Sequence, residues 1–474
     1  MTLRVITRTG LLVLGTTFAV ALAAPGVHAA QSRAFVVTTD FQTGGLSAID
    51  LATRAVSADV ASVYKDARAR WYDGRIYVLN RFGADNVQIL NPAAGYATVR
   101  QFSVGNGANP SDIVVMSPTK AYVSVYQRAQ LQKWNPATGT SLGSIDLSAF
   151  ADADGIPEAD HMARFGRWLF VALQRLDQVN GFIPTDSSLV VVIDTEADTV
   201  VDVNPGLAGK QAIVLARTNP VTTFAWDPVA RQFHLGCVGA YGALDGGVVR
   251  IDPETFTDAG VAITEAALGG DVSDIEWHTA THGYAIVSDA LFNTSLVTWN
   301  PSTGTRLATL FTPGGFGLAD CARNDRGELY VCDNSFAVQG IRVFSTATDA
   351  QIAGPLNTGL PPYQVMFDGS FGDVLDVPVL VAASFACSTP HPNPARGAVT
   401  FWLSSDRERD AQVEVLDLAG RRVRVLHQGR VAAGVHEVRW DLRDTVGRLA
   451  RPGVYLVRAR AGRVLVVRKI SVVE

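Results

Sequence analysis

Trp134-Asn135-Pro136-Ala137-Thr138-Gly139 is an apolar strand end, an Asn and a small polar turn. The same phrase returns as Ile49-Asp50-Leu51-Ala52-Thr53, Leu90-Asn91-Pro92-Ala93-Ala94-Gly95, Ile193-Asp194-Thr195-Glu196-Ala197-Asp198, Ile251-Asp252-Pro253-Glu254-Thr255, Trp299-Asn300-Pro301-Ser302-Thr303-Gly304 and Phe344-Ser345-Thr346-Ala347-Thr348-Asp349. Asp, Asn, Pro and Gly supply the side-chain caps and unusual backbone angles of a tight turn between strands. A turn that recurs every roughly 40 to 60 residues between β-branched runs marks a β-propeller.

Working outward, each phrase joins two strands, C and D. Upstream lies a strand B rich in Val and Tyr, such as Arg75-Ile76-Tyr77-Val78, Lys120-Ala121-Tyr122-Val123 or Glu328-Leu329-Tyr330-Val331. Before each B, except the first at Ala34, runs an apolar strand A, so the unit is four antiparallel strands. The chain leaves the scheme at a lone strand A, Tyr363-Gln364-Val365-Met366-Phe367. That strand is expected to complete the first blade and close the ring, which protects otherwise unpaired edges. The fold expected is all-β: a seven-bladed β-propeller, followed by a small immunoglobulin-like β-sandwich.

Residues 1–29 read as an export signal: Arg4 and Arg8, an apolar stretch from Leu11 to Ala24, then Val27-His28-Ala29 before Ala30. The apolar stretch is too short to span a bilayer comfortably, and no later segment is a better candidate. The expected product is secreted or displayed on the outer cell surface. Charge divides the remainder. From Phe385 onward there are 16 basic and 9 acidic residues, whereas 30–384 carry 22 basic and 36 acidic. This places the propeller at 30–384, a linker at 385–391 and the second domain at 392–474. A large domain of that sign lacks the basic stripe that nucleic acid demands. Four cysteines do not make a disulfide scaffold. Cys321 and Cys332 flank one hairpin turn, Asn324-Asp325-Arg326-Gly327, and are the expected disulfide, with two separate buried thiols as the alternative.

Two resemblances follow from these residues. The repeat unit, "LYV", then "VxVID", then a small polar turn, resembles the YVTN family of seven-bladed propellers over about residues 34 to 370. That resemblance implies a fold and not an activity. The tail holds, in order, Pro392-Asn393-Pro394, Val415-Leu416-Asp417-Leu418-Ala419-Gly420-Arg421, Ala433-Gly434-Val435-His436-Glu437-Val438-Arg439-Trp440-Asp441 and Pro452-Gly453-Val454-Tyr455. It resembles the immunoglobulin-like domain of the flagellar hook-capping protein and the type A sorting domains of type IX secretion cargo. Those likenesses imply a partner in secretion or cell-surface attachment machinery for 392–474. The stretch Asp441-Leu442-Arg443-Asp444 departs from the usual lysine-rich sorting pattern, which leaves a purely structural sandwich as the alternative.

The long loops concentrate at the fourth blade. Its D–A loop runs from Asp146 to His161 and its B–C loop from Asp177 to Asp186, and the strand order puts both on one face. Asp152, Asp154, Glu158 and Asp160, helped by Asp177, Asn180 or Asp186, offer the oxygen set that suits Ca²⁺, a hard cation with six to eight oxygen ligands. The spacing is not that of an EF-hand, and a solvated acidic loop whose Asp and Gly residues make turns is the alternative. His161 reads as a metal ligand, a general base or a hydrogen-bonded structural residue. His278 and His282 fall in an A–B turn rather than on a helix, which disfavours zinc. Asp112, Asp271 and Asp274 stand near the starts of inner strands, where the channel mouth or turn chemistry accounts for them. No nucleophile elbow, Walker loop or haem motif is found, so no catalytic residue is assigned. The expected function is a propeller binding protein with a sorting or tethering tail, its partner an extracellular protein or small ligand. The alternatives are a metal-dependent lactonase-like hydrolase, whose ligands must converge on the channel from several blades, and a structural module of a surface layer.

Overall fold

The computed structural model describes residues 31–369, apart from 186 and 337, and residues 385–473 with gaps at 388–389, 391–393, 406–407, 419, 433 and 462–463. The expected export signal, Asp186, Pro392, Asn393, Ala419 and Ala433 lie outside them. Seven antiparallel sheets run in order along the first part of the chain. The second blade is typical: Ala67–Tyr72, Arg75–Asn80, Asn86–Asn91 and Ala97–Ser103 lie side by side from the inside outward. The other inner strands are Pro110–Ser117, Ala159–Phe165, Ala225–Asp227, Asp271–Thr279 and Leu318–Arg323 for blades three to seven. Pro362–Phe367 pairs with Arg33–Thr39 and so supplies the inner strand of blade one, as the offset repeat requires. The fold is thus a seven-bladed β-propeller.

The turn phrase works as its chemistry dictates. Asp50 accepts from the N–H groups of Ala52 and Thr53, Asn135 from Ala137 and Thr138, Asp194 from Glu196 and Ala197, Asp252 from Glu254 and Thr255, and Asn300 from Ser302 and Thr303. Four residues after each capping side chain the backbone is left-handed: Arg54, Gly95, Gly139, Asp198, Phe256, Gly304 and Asp349 all have φ between 56 and 72°. Where that residue is not glycine it bolts the turn to the preceding blade. Arg54 pairs with Glu328 at 2.8 Å. Asp198 receives Tyr122 and Lys133, and Asp349 receives Tyr284 and His282.

Alternating apolar positions bury both faces of each sheet, so every seam between blades holds its own core. Val78 and Phe35 belong to the seam between blades one and two, Val123 and Val87 to the next, Tyr122 and Val171 to the third. The seam from blade seven to blade one contains Ala34, Val36, Tyr330, Cys332, Val343 and Val365. Burial of such side chains contributes roughly 1.5–3 kcal/mol each. Blade four departs from the pattern. Its outer strand is reduced to Thr199–Val200, and Ile213–Val214 pairs with Leu189–Val190 from a second long connection, 201–220, that sequence reading passed over.

The tail forms two sheets of a sandwich. Phe385–Cys387, Val399–Ser405 and Gly434–Trp440 make one, and Arg422–Val431, Arg409–Asp417, Gly453–Ala461 and Val464–Val472 the other. Trp440 is fully buried at their core, its ring edge-on to Tyr455 at 5.3 Å. Phe385–Cys387, expected in the linker, is a strand of this sandwich because it finds an edge on Val399–Ser405.

Candidate functional site

Strand register aligns one inner-strand position in six of the seven blades, the residue before the one that faces the central Val or Ala of strand B. These residues are Gln364, Arg68, Asp112, His161, Asp274 and Asp320. All six are polar. A buried polar group must find a partner, and here the partner is often the next blade. Asp112 Oδ2 accepts from Met162 N–H at 2.8 Å, Asp274 Oδ2 from Cys321 N–H at 2.7 Å, Asp320 Oδ2 from Val365 N–H at 2.8 Å and Gln364 Oε1 from Ala69 N–H at 2.8 Å. Four seams are therefore stitched across the channel wall.

Charge in the channel is arranged in pairs. Arg70 grips Asp112 through Nε and Nη2, each at 2.8 Å. Arg68 donates to Asp160 at 2.5 Å, which also receives Ser111 and, at 3.0 Å, Gln174. Burial by itself raises both carboxyls, but Arg70 beside Asp112, and Arg68 with His161 and Arg81 around Asp160, hold them below the usual carboxylate range. Burial lowers His161 to about 4, so the imidazole between these acids is neutral at pH 7, and its Nδ1 has no hydrogen-bond partner. Asp274 and Asp320 behave oppositely. Burial raises both, Asp320 to about 6, and the charge of Asp320 pushes Asp274 further. Glu276, two residues on from Asp274, is raised by burial to about 7 against the pull of Arg323, 3.5 Å away.

A cavity of about 460 Å³ occupies the channel toward the A–B turns. It draws on the inner strands of blades one, two, five, six and seven. Trp71, Phe224, Trp226 and Trp277 supply aromatic surface, and Arg70, Glu276, Asp320 and Arg323 supply charge. The volume and the mix of apolar wall with a few converging polar groups are those of a small-molecule site.

The fourth-blade loops do meet. Glu158 accepts from Leu176 N–H at 2.9 Å and from the Gln178 side chain at 2.7 Å, and Asp154 from Gln178 N–H at 3.4 Å. The described members of the expected calcium set are each engaged elsewhere, and Asp186 lies outside the described residues. Asp160 turns inward to Arg68. Asp177 caps its own turn, accepting from Val179 and Asn180 N–H and from the Asn180 side chain. Asp152 and Asp154 cap the turn that leads to Glu158, a fully buried carboxyl that burial raises to about 7. Among the described residues no cluster of three or more acidic, His or Cys side chains is poised to hold a metal ion. The disulfide is likewise corrected. Cys321 faces Val331 across the strands, so Cys332 points into the opposite seam, and each thiol is unbonded in a separate core. His282 is taken by Asp349 at 3.1 Å, and Asp271 accepts from Gly242 N–H rather than reaching the channel ring.

Sequence reading found Asp112 and Asp274 but passed over Arg68, Arg70, Glu276, Asp320 and Arg323. The clue to Arg68 and Asp320 was available: one polar residue at the same place in six inner strands.

No curated protein matches this chain in sequence. Among solved structures, apo AztD from Citrobacter koseri is similar over 72% of this chain and 99% of its own, with 12% identity and a TM-score of 0.43. A functionally unknown protein from Desulfotomaculum acetoxidans covers 71% and 99% at 12% identity and a TM-score of 0.48. Kuenenia stuttgartiensis hydrazine synthase covers 69% and 100% at 14% identity and a TM-score of 0.44. None of these likenesses bears on what this chain binds. Residues 393–463 match the FlgD Ig-like domain family, in keeping with the two-sheet sandwich.

Proposed function

We propose that this chain is an exported binding protein whose propeller holds a small ligand in its channel and whose Ig-like domain sorts or tethers it at the cell surface. The observation that carries the reading is the aromatic-walled channel cavity of about 460 Å³. Two carboxylates elsewhere in the channel, outside the lining of this cavity, speak against metal-assisted hydrolysis. Asp112 and Asp160 already accept several hydrogen bonds each from arginine, backbone or neutral side chains, which leaves them poor metal ligands. A second reading, a hydrolase using general acid–base chemistry, draws on Asp274, Asp320 and Glu276, three raised carboxyls in one channel sector. A role for the tail in type IX export rests on the sequence resemblance, and deleting 392–474 should then leave the propeller folded but misplaced.

The ligand site is tested by ligand-observed NMR of the mature chain with a library of small amphiphilic aromatic fragments. Ala322 lines the cavity, so Ala322→Trp fills it. Fragments should bind the parent and lose binding in the filled variant. An unchanged set of hits, or none in the parent, would sink the reading; turnover of an ester or lactone fragment, lost in Glu276→Gln, would favour the hydrolase.

A further inference from the structure

Two arginines of blade two, Arg68 and Arg81, stand at the loop end of the channel, and neither lines the aromatic cavity. Arg68 lies near the start of the inner strand and faces Leu79 of Arg75–Asn80. Arg81 follows that second strand directly, and its N–H donates to the Asp66 carbonyl at 2.8 Å, which extends the ladder by one pair. Alternation then puts Arg81 on the same side of the sheet as Leu79, which packs in the seam with blade three. Arg81 is thus diagonal to Arg68, a separation of roughly 7–8 Å that long side chains bridge.

Both guanidiniums are largely buried, with side chains 27% and 17% exposed, and a buried charge needs partners for its N–H groups. Arg68 spends only Nη1, on Asp160, the Ser111 hydroxyl and the Ser111 carbonyl. Its Nε and Nη2 have no acceptor among the described residues. Arg81 has less. Nη1 approaches Asp66 at 3.5 Å, and Asp66 is itself 42% exposed. Among the described residues Nη2 has no acceptor, and Nε is sealed from solvent without one. Asp160 cannot serve both arginines, because Oδ1 already accepts from Arg68 and Ser111 and Oδ2 from Gln174. Tyr126, the next group in the cluster, donates its hydroxyl to Gln174. Burial, reinforced by the charge of Arg68, lowers Arg81 to about 10.

We propose that Arg68 and Arg81 together bind a small oxyanion, a carboxylate or phosphate group, at the loop end of the channel. The unused edge of Arg68, Nε with Nη2, is the edge through which Arg70 holds the Asp112 carboxylate. Two oxygens of one anion match that fork, and Arg81 Nη2 adds a third donor from the diagonal position. Chloride has no such edge and gains little from it.

Isothermal titration calorimetry of the mature chain with sodium phosphate, and separately with sodium acetate, tests this in chloride buffer at matched ionic strength. Saturable binding of at least one is expected: phosphate would assign the site to a phosphoryl group, acetate to a carboxylate. Arg81→Met keeps the apolar stem and should weaken binding at least about tenfold, through loss of a charge-assisted bond. Asp66→Asn removes the nearby acid and should tighten it. Melting temperatures separate binding from a structural role. Without the anion Arg81→Met should melt no lower than the parent, because it removes an under-partnered charge, and the bound anion should raise the parent alone. No saturable binding of either salt overturns the proposal. So does binding that Arg81→Met leaves intact, or a thermal shift that chloride reproduces. A lower melting temperature of anion-free Arg81→Met, or loss of binding in Asp66→Asn, would make Arg81 and Asp66 a structural pair and overturn it equally.

Discussion

Asp320 accepts a hydrogen bond from the backbone N–H of Val365 at 2.8 Å, and through it the seventh blade holds the strand that closes the ring. Val365 is in the last inner strand of the propeller and pairs with Val36 near its beginning, so this one bond stands at the point where the two ends of the circle meet. Removing the acceptor leaves a buried N–H unmade, at a cost of about 1–3 kcal/mol. Asp320→Ala should therefore lower the urea midpoint clearly. Asp320→Asn keeps a carbonyl oxygen in place and, since burial raises Asp320 to about 6, removes an awkward charge at neutral pH. Equal losses for Ala and Asn would contradict the stitch.

The Arg70–Asp112 pair is also mutational ground. Asp112 is 2% exposed and accepts two bonds from Arg70 and one from Met162. Asp112→Ala strands a partly buried guanidinium and should cost about 3–5 kcal/mol. Arg70→Met combined with Asp112→Ala should recover part of that loss, because no unpaired charge remains. Thermal denaturation of the two variants checks it, and a double variant no more stable than Asp112→Ala contradicts it.

Raised carboxyls shape the pH response, among them the fully buried Glu158 and Glu265 and the half-buried Glu276. Burial raises Glu158, Glu265 and Glu276 to about 7 from an unfolded value of 4.5. Between these limits the native state binds more protons than the unfolded one, so stability falls as pH rises from about 4.5 to about 7. His161 and His234, lowered by burial to about 4 from 6.5, act at the other end: their contribution is lost as pH falls from 6.5 to 4. Glu158→Gln should flatten the glutamate limb by up to roughly 1.4 kcal/mol per pH unit. Denaturation midpoints from pH 4 to 8 measure the slope, which an unperturbed Glu158 would leave unchanged above pH 6.

The thiols give a simple contrast with the disulfide that their spacing had implied. With Cys321 and Cys332 in different cores, a reducing agent should leave the melting temperature of the propeller unchanged, and Cys332→Ser should not expose a reactive partner at Cys321. A drop of several degrees on reduction would show a bond between them.

Much of the fold was legible because its information is local. Asp50, Asn135 or Asn300 caps its turn through its own next three residues, and the lone strand at Tyr363–Phe367 announced ring closure by its offset alone. The channel was harder to read. Arg70 and Asp112 are 2.8 Å apart in space but belong to different blades, and nothing in either strand declares the partner. Asp160 shows the same limit from the other side. It stands in an acidic run that looks like a calcium loop, yet it begins an inner strand, and strand geometry turns it to Arg68. Asp177 and Asn180 are ambiguous in sequence because a side chain that caps a turn and one that awaits a cation have the same composition. The cysteines failed on a matter of parity: the hairpin pairs Arg323 with Leu329 and so Cys321 with Val331, one residue from Cys332 and hence on the other face.

The proposed ligand site lies in the channel and not on the fourth-blade rim. The most direct measurement is a crystal structure of the mature chain soaked with the fragment that binds it most tightly. Density between Trp71, Trp226 and Trp277, in reach of Glu276 or Arg323, is the predicted result. Density against Asp152, Asp154 and Glu158 with an empty channel would contradict it.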